Sequence, residues 1–175
     1  MDLKRAQELF DAGRVLDAAK LGLPKAQGEM ANRCHHGMEG VEKDLDKRFE
    51  WATKAAEGGD MLGQFWLGYA FHLGKGVERN EVEALKWYEL AAAQGCMESS
   101  TQAANILSSG GFVLLRDLER AFVFYQRAAQ VVFSQTELAK CYYKGLGVAQ
   151  DFAAARRWYQ KSTEGNSREG TFMLG

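Results

Sequence analysis

The chain has 175 residues, 46% of them apolar and 11% aromatic, which is enough to bury a core, and a 26% charged fraction that argues against disorder. Its 22 basic and 23 acidic residues leave a net charge of −1, with no excess to hold phosphates or anionic lipid, so nucleic acid and membrane surfaces are not the expected partners. The opening MDLKRAQELFDAGR carries charges throughout, and no apolar run reaches bilayer length. The expected compartment is the cytoplasm, the periplasm or an organelle entering only if a leader has been removed. The three cysteines, Cys34, Cys96 and Cys141, are an odd number in unrelated positions, so they define no disulfide framework and suit a reducing compartment.

In chain order, residues 1–22 read as a short N-terminal capping helix pair, with Phe10, Gly13, Ala18, Ala19 and Gly22 as its marker positions. Four longer units follow, at 23–59, 60–95, 96–130 and 131–166, and 167–175 begins a fifth. Each unit predicts two helices. The first carries an apolar residue, a small one and a large one before a glycine. These are Met30, Ala31, Cys34, Gly37; Leu67, Gly68, Phe71, Gly74; Ala103, Ala104, Leu107, Gly110; and Leu138, Ala139, Tyr142, Gly145. Positions four apart share a helix face, and the closing glycine is able to adopt the positive φ that ends a helix.

A valine follows each closing glycine, at Val41, Val77, Val113 and Val148, and is expected to tuck under the turn. Then comes a capping residue, Asp44, Asn80, Asp117 or Asp151, whose side chain accepts from the first N–H groups of the second helix. In the second unit Glu83 is placed to complete a capping box with Asn80. Seven residues beyond each cap stands a ring, Trp51, Trp87, Phe124 or Trp158, at successive spacings of 36, 37 and 34 residues. Small pairs follow at Ala55 and Ala56, Ala91 and Ala92, Ala128 and Ala129, and Ser162 and Thr163. The expected packing sets the rings between layers and uses the small pairs as room for the next unit.

This pattern resembles the Sel1-like repeat, a relative of the tetratricopeptide repeat with a Gly-x-Gly-Val turn, as in LGYAFHLGKGVERNEVEALKWYELAAAQG and LAKCYYKGLGVAQDFAAARRWYQKSTEG. The resemblance covers about residues 23 to 175 and implies an all-α fold, a right-handed α-solenoid of stacked antiparallel helix pairs. It also implies a non-enzymatic adaptor or scaffold, because members of the family mostly bind proteins. The chain stops at Leu174 and Gly175, which match Leu67 and Gly68 in mid-helix. An open apolar end is therefore expected, with a monomer or weak self-association through it.

The candidate binding surface is the outward face of the first helices, expected to line a concave groove around the second and third units. Advancing about 100° per residue from Leu67, the opposite side collects Leu62, Phe65, Tyr69, His72 and Leu73, with Trp66 at the flank. The same positions hold Lys25, Gly28, Asn32, His35 and His36 in the first unit and Glu98, Thr101, Asn105, Ser108 and Ser109 in the third. Only the second unit is apolar on both faces. Leu62, Phe65, Trp66, Tyr69, His72 and Asn105 are thus the expected partner contacts, with the aromatics as anchors and the Asn105 amide able to grip a peptide backbone. Trp51, Trp87, Phe124, Trp158, Gly74 and Gly145 are expected to be structural.

No catalytic residue, metal or cofactor is expected. Cys34, His35 and His36 point about 100° apart and do not converge on one tetrahedral ion. Ser108 to Gly111 lacks the preceding strand and following lysine of a phosphate loop, and no nucleophile, base and orienter assemble. Two alternatives stand behind the adaptor. One is a toxin-specific inhibitor or immunity partner. The other, less favoured, is a small-molecule binder or β-lactam-hydrolysing enzyme, since a cysteine-rich branch of the Sel1-like family has been linked to β-lactams, although this chain lacks its paired cysteines.

Overall fold

The computed structural model describes residues 2–110 and 114–165. Val113 and Gly111, the expected fifth repeat at 167–175 and its Leu174 and Gly175 lie outside the described residues. Among those described, ten helices and no strands form the chain. Their order is α1 (Leu3–Asp11), α2 (Val15–Lys20), α3 (Pro24–His36), α4 (Leu45–Glu57), α5 (Met61–Leu73), α6 (Glu81–Ala93), α7 (Met97–Ser109), α8 (Leu118–Arg127), α9 (Val132–Lys144) and α10 (Phe152–Glu164). They fall into two compact units divided after Cys96, the first holding α1 to α6 and the second α7 to α10. The fold is the all-α solenoid type, built from helix pairs.

The turn inside each pair follows the sequence signals closely. Gly37, Gly74, Gly110 and Gly145 all have φ between 65° and 72°, a left-handed conformation that a side chain would disfavour. Each accepts no neighbour's burden alone, because the cap residue ten or nine positions after the large one adds a second tie. The backbone N–H groups of Asp44, Asn80, Asp117 and Asp151 donate to the carbonyls of Cys34, Phe71, Leu107 and Tyr142, each at 2.9 Å. The same four side chains cap the second helices. Asp44 accepts from Asp46 and Lys47, Asn80 from Val82 and Glu83, Asp117 from Arg120, and Asp151 from Ala154. The capping box expected at Asn80 does not close, because the Asn80 N–H is spent on Phe71 and the Glu83 carboxylate turns to Lys86 at 3.4 Å. Val41, Val77 and Val148 are half-buried at their turns.

Successive repeats interlock through the large positions. The Phe49 ring on α4 meets Phe71 on α5 edge-on at 6.1 Å, and Phe122 on α8 meets Tyr142 on α9 at 5.3 Å, the same two positions one contact later in each unit. Trp51 packs against the core clusters on both its sides, one built on Val15, Ala18, Ala26 and Met30 and one on Ala31, Ala52, Trp66 and Leu67. The rings at Trp51, Trp87 and Trp158 nevertheless remain half-buried. A cation lies over each of these three rings and over the buried Phe124: Lys54 over Trp51, Lys86 over Trp87, Arg127 over Phe124 and Lys161 over Trp158, at 4.9 to 5.4 Å. Such contacts contribute about 0.5–1 kcal/mol each at exposed sites.

The residue after the ring is buried more deeply than the ring itself. Tyr88 is 0% exposed, Tyr125 2% and Tyr159 3%. The small residues do provide the close approach expected of them. A Cβ placed on Gly63 of α5 would sit 2.3 Å from the Ala55 Cβ of α4, and one on Gly68 would sit 2.9 Å from the Tyr88 ring. Replacing Gly63 by alanine forces α4 and α5 apart, and is expected to cost about 1–3 kcal/mol. It should appear as a lower urea midpoint with an unchanged slope.

Candidate functional site

In the repeat pattern, the second helix buries a small residue four positions after the cap and a tyrosine four positions further on. The pairs are Ala84 and Tyr88, Ala121 and Tyr125, and Ala155 and Tyr159, all at most 3% exposed. In the first full repeat the sizes are exchanged, with Arg48 at the alanine position and Ala52 at the tyrosine position, both 0% exposed. Because the two positions lie one helical turn apart on a single face, the arginine side chain takes the volume that a tyrosine ring fills elsewhere.

What the deep side chain touches is also conserved in place. Tyr125 donates to the Asn105 side-chain oxygen at 2.8 Å and lies 3.3 Å from the Ser108 hydroxyl, while the Tyr88 ring meets His72 edge-on at 6.1 Å. Arg48 reaches the corresponding outward position of its own first helix, His35, with Nη1 donating to Nδ1 at 3.2 Å. Its Nη2 donates to the carbonyl of Lys75 at 3.0 Å, tying the first repeat to the glycine turn of the second, and its guanidinium lies 5.5 Å from the centre of the Tyr69 ring. The Arg48 Nε has no partner, and no carboxylate pairs with the guanidinium among the described residues. Glu29 and Glu39 pair with Arg33 and Asp44 with Lys47, while the Asp46 carboxylate lies against Gly76.

Around this cation α3 and α5 form a continuous ring cluster. His35 stacks on Trp66 at 4.2 Å and meets Tyr69 edge-on at 5.5 Å, His36 meets Trp66 at 5.8 Å, and Phe65 lies 4.9 Å from Trp66 and 6.2 Å from Tyr69. Leu62, Phe65, Tyr69 and His72 are half-buried, their inner edges packed and their outer edges open to solvent, and Leu73 is 43% exposed. Trp66 is different. At 5% exposure it belongs to the core, with its indole N–H buried and unpartnered. Expected as a flanking anchor, it is instead the floor beneath His35, Phe65 and Tyr69, because α3 packs against that side of α5 and covers it.

Asn105 belongs to the second unit. It lines a cleft of about 330 Å³ with Glu98, Thr101 and Gln102 of α7, Val131, and Phe133 of α9, whose ring is 50% exposed. The Tyr125 hydroxyl fixes the Asn105 oxygen, which turns its amide N–H groups away from that bond. Thr101 at the base bonds the Ser134 hydroxyl at 2.9 Å, joining α7 to α9. Three buried glutamines were missed by sequence reasoning. Gln27 and Gln135 donate to the carbonyls of Ala19 and Ala129, and Gln64 accepts from Gln94. Gln27 and Gln135 hold their first helices to the end of the helix before, Gln64 holds α5 to the end of α6, and only their common place in the repeat could have marked them.

Burial pushes the Cys34 thiol up and the Cys141 thiol up to about 11, which makes these two poor nucleophiles, and no disulfide joins the three buried cysteines. Among the described residues no three His, Cys, Asp or Glu side chains are placed to share a metal ion.

Burial, and then the positive charge of Arg48, holds the His35 pKa down to about 4 against an ordinary value near 6.5. The folded chain thus resists a proton that the unfolded chain accepts. Stability attributable to this imidazole is fully present above about pH 6.5 and is lost as pH falls toward 4. Histidine NMR titration should show His35 neutral at pH 5, and His35→Gln should flatten the decline in melting temperature over that interval. A second expectation concerns the size exchange. Arg48→Ala alone should lose about 2–4 kcal/mol through lost packing. Arg48→Ala with Ala52→Tyr, which restores the pattern of the other repeats, should recover most of it in chemical denaturation.

The family profile of the Sel1 repeat matches residues 24–60, 62–96, 102–130 and 132–167. Among solved structures, the chain is similar to a protective antigen of uropathogenic Escherichia coli strains displaying an SLR fold, with 34% identity and a TM-score of 0.84 over 91% of this chain and 34% of that one. It is also similar to a Sel1 repeat protein from Oxalobacter formigenes, with 26% identity and a TM-score of 0.79 over 91% of this chain and 46% of that one. A curated relative, the chitin synthase regulator SKT5 of Saccharomyces cerevisiae, is 51% identical over 51 residues, which are 29% of this chain and 7% of the regulator. The chain therefore spans less than half the length of each of these proteins. Repeats of this kind generally mediate contacts between proteins and are generally non-catalytic. With its four repeats matched across most of its length, the chain belongs to the Sel1 repeat family.

Proposed function

We propose that this chain is a protein-binding adaptor that receives a partner segment on the outward face of α5, beside α3. The supporting observation is the set of half-buried rings there. Phe65 and Tyr69 both pack on the buried Trp66, with Tyr69 also held by His35 and Phe65 by Tyr88. Rings whose rotamers are already fixed cost a partner little ordering entropy, and aromatics lead the residues that carry interface energy. Leu62 and His72 extend this face along the helix by one turn in each direction. In the second unit, Asn105 is a further contact, its amide offered to a peptide backbone over Phe133.

The membrane plays no part in this reading, and among the described residues no helix is long and apolar enough to cross one. The test is capture from native extract with crosslinking mass spectrometry, comparing the parent chain with Phe65→Glu and Tyr69→Glu. Each substitution is expected to remove the specific crosslinked partner at least tenfold while circular dichroism at working temperature stays helical. Retention of the same partner by folded Phe65→Glu protein would refute the assignment of this face.

A further inference from the structure

We infer that the segment received on the α3–α5 face is acidic, with a carboxylate beside an apolar side chain: the apolar group on Phe65 and Tyr69, the carboxylate toward His35, Lys43 and Lys75. The inference rests on the adaptor reading above and adds the chemistry of the partner.

Three observations carry it. First, Arg48 places a positive charge one ring layer beneath this surface, bonded only to the neutral acceptors His35 Nδ1 and Lys75 O and facing the Tyr69 ring. A buried charge without a counter-ion is weakly screened by solvent, so its field reaches the surface through the rings. Second, the charges of Arg48, Lys43 and Lys75 bear on His35, and Lys43 and Lys75 are exposed, while the Asp46 carboxylate lies on the far side of Lys75 against Gly76. Third, the Arg48 Nε is a buried donor without an acceptor, so hydrogen bonding inside the cluster leaves the guanidinium only partly satisfied. A surface lying over a buried cation that has no counter-ion complements a carboxylate and repels a basic segment.

The exchange of Arg48 with Ala52 sharpens the point. In the second and third repeats the same depth is filled by the neutral Tyr88 and Tyr125. The first repeat therefore differs from them in charge at the position from which the outward face is supported.

Selection of a random dodecapeptide phage library on the full chain tests this, followed by fluorescence polarisation of the enriched peptides. Peptides that lose binding to Phe65→Glu are the ones docked on this face. They are expected to be net acidic with at least one Leu, Phe or Trp. They should weaken at least tenfold against the surface double variant Lys43→Glu with Lys75→Glu, and fall off steeply from 50 to 300 mM salt. The Arg48→Ala, Ala52→Tyr variant removes the buried charge while restoring the common repeat pattern, and should weaken them as well. If the peptides sensitive to Phe65→Glu are neutral or basic, or indifferent to the lysine reversal, the acidic partner is wrong and the docking face stands. If no enriched peptide responds to Phe65→Glu, the docking face fails and the inference falls with it.

Discussion

The 2.9 Å hydrogen bond from the cap residue's N–H to the carbonyl of the large residue in the helix before it recurs at Asp44, Asn80, Asp117 and Asp151. It fixes where each second helix begins relative to the end of the first, through a turn that a left-handed glycine has already bent. With that origin set, a residue four or eight positions after the cap faces the first helix in every repeat. The buried alanine, the buried tyrosine and the outward position they support all inherit their places from this one bond. Side-chain capping adds about 1 kcal/mol per helix, but the backbone bond determines the register.

Within that register, size can be traded between positions without moving the helices. Arg48 and Ala52 make this exchange in the first repeat, where the other three keep alanine and then tyrosine. A guanidinium brings what a phenol does not, a permanent charge and a reach long enough to hold both His35 and the Lys75 carbonyl of the following turn. Its desolvation is costly and no carboxylate among the described residues offsets it. The arginine is therefore better understood by the surface it polarises than by the stability it adds.

The aromatic face depends on the same geometry. α3 covers one side of α5 and turns Trp66 into a floor, which leaves Phe65 and Tyr69 fixed but only half covered. Rigid rings over a buried cation, with lysines at the rim, combine an apolar anchor with a directional field. The same support occurs in milder form in the second unit, where the Tyr125 hydroxyl steadies Asn105 at its cleft.

Sequence alone determined what is local to a repeat. Closing glycines, capping carboxylates and the ring spacing each reflect a backbone requirement within a few residues, and these were legible because that requirement recurs four times. The outward positions of α5 were also legible from helical periodicity. Which of them a neighbouring helix covers was not, as Trp66 shows, since an angle around one helix carries no information about what packs against it. The burial of Tyr88, Tyr125 and Tyr159 one residue beyond the expected rings was decided likewise by helix pairing, and so was the diversion of the Asn80 N–H from its capping box. Arg48 is the clearest case. In sequence it is one charge among several on α4, and only the tertiary fold, by closing α3 and α5 over it, made it a buried cation beneath an aromatic surface.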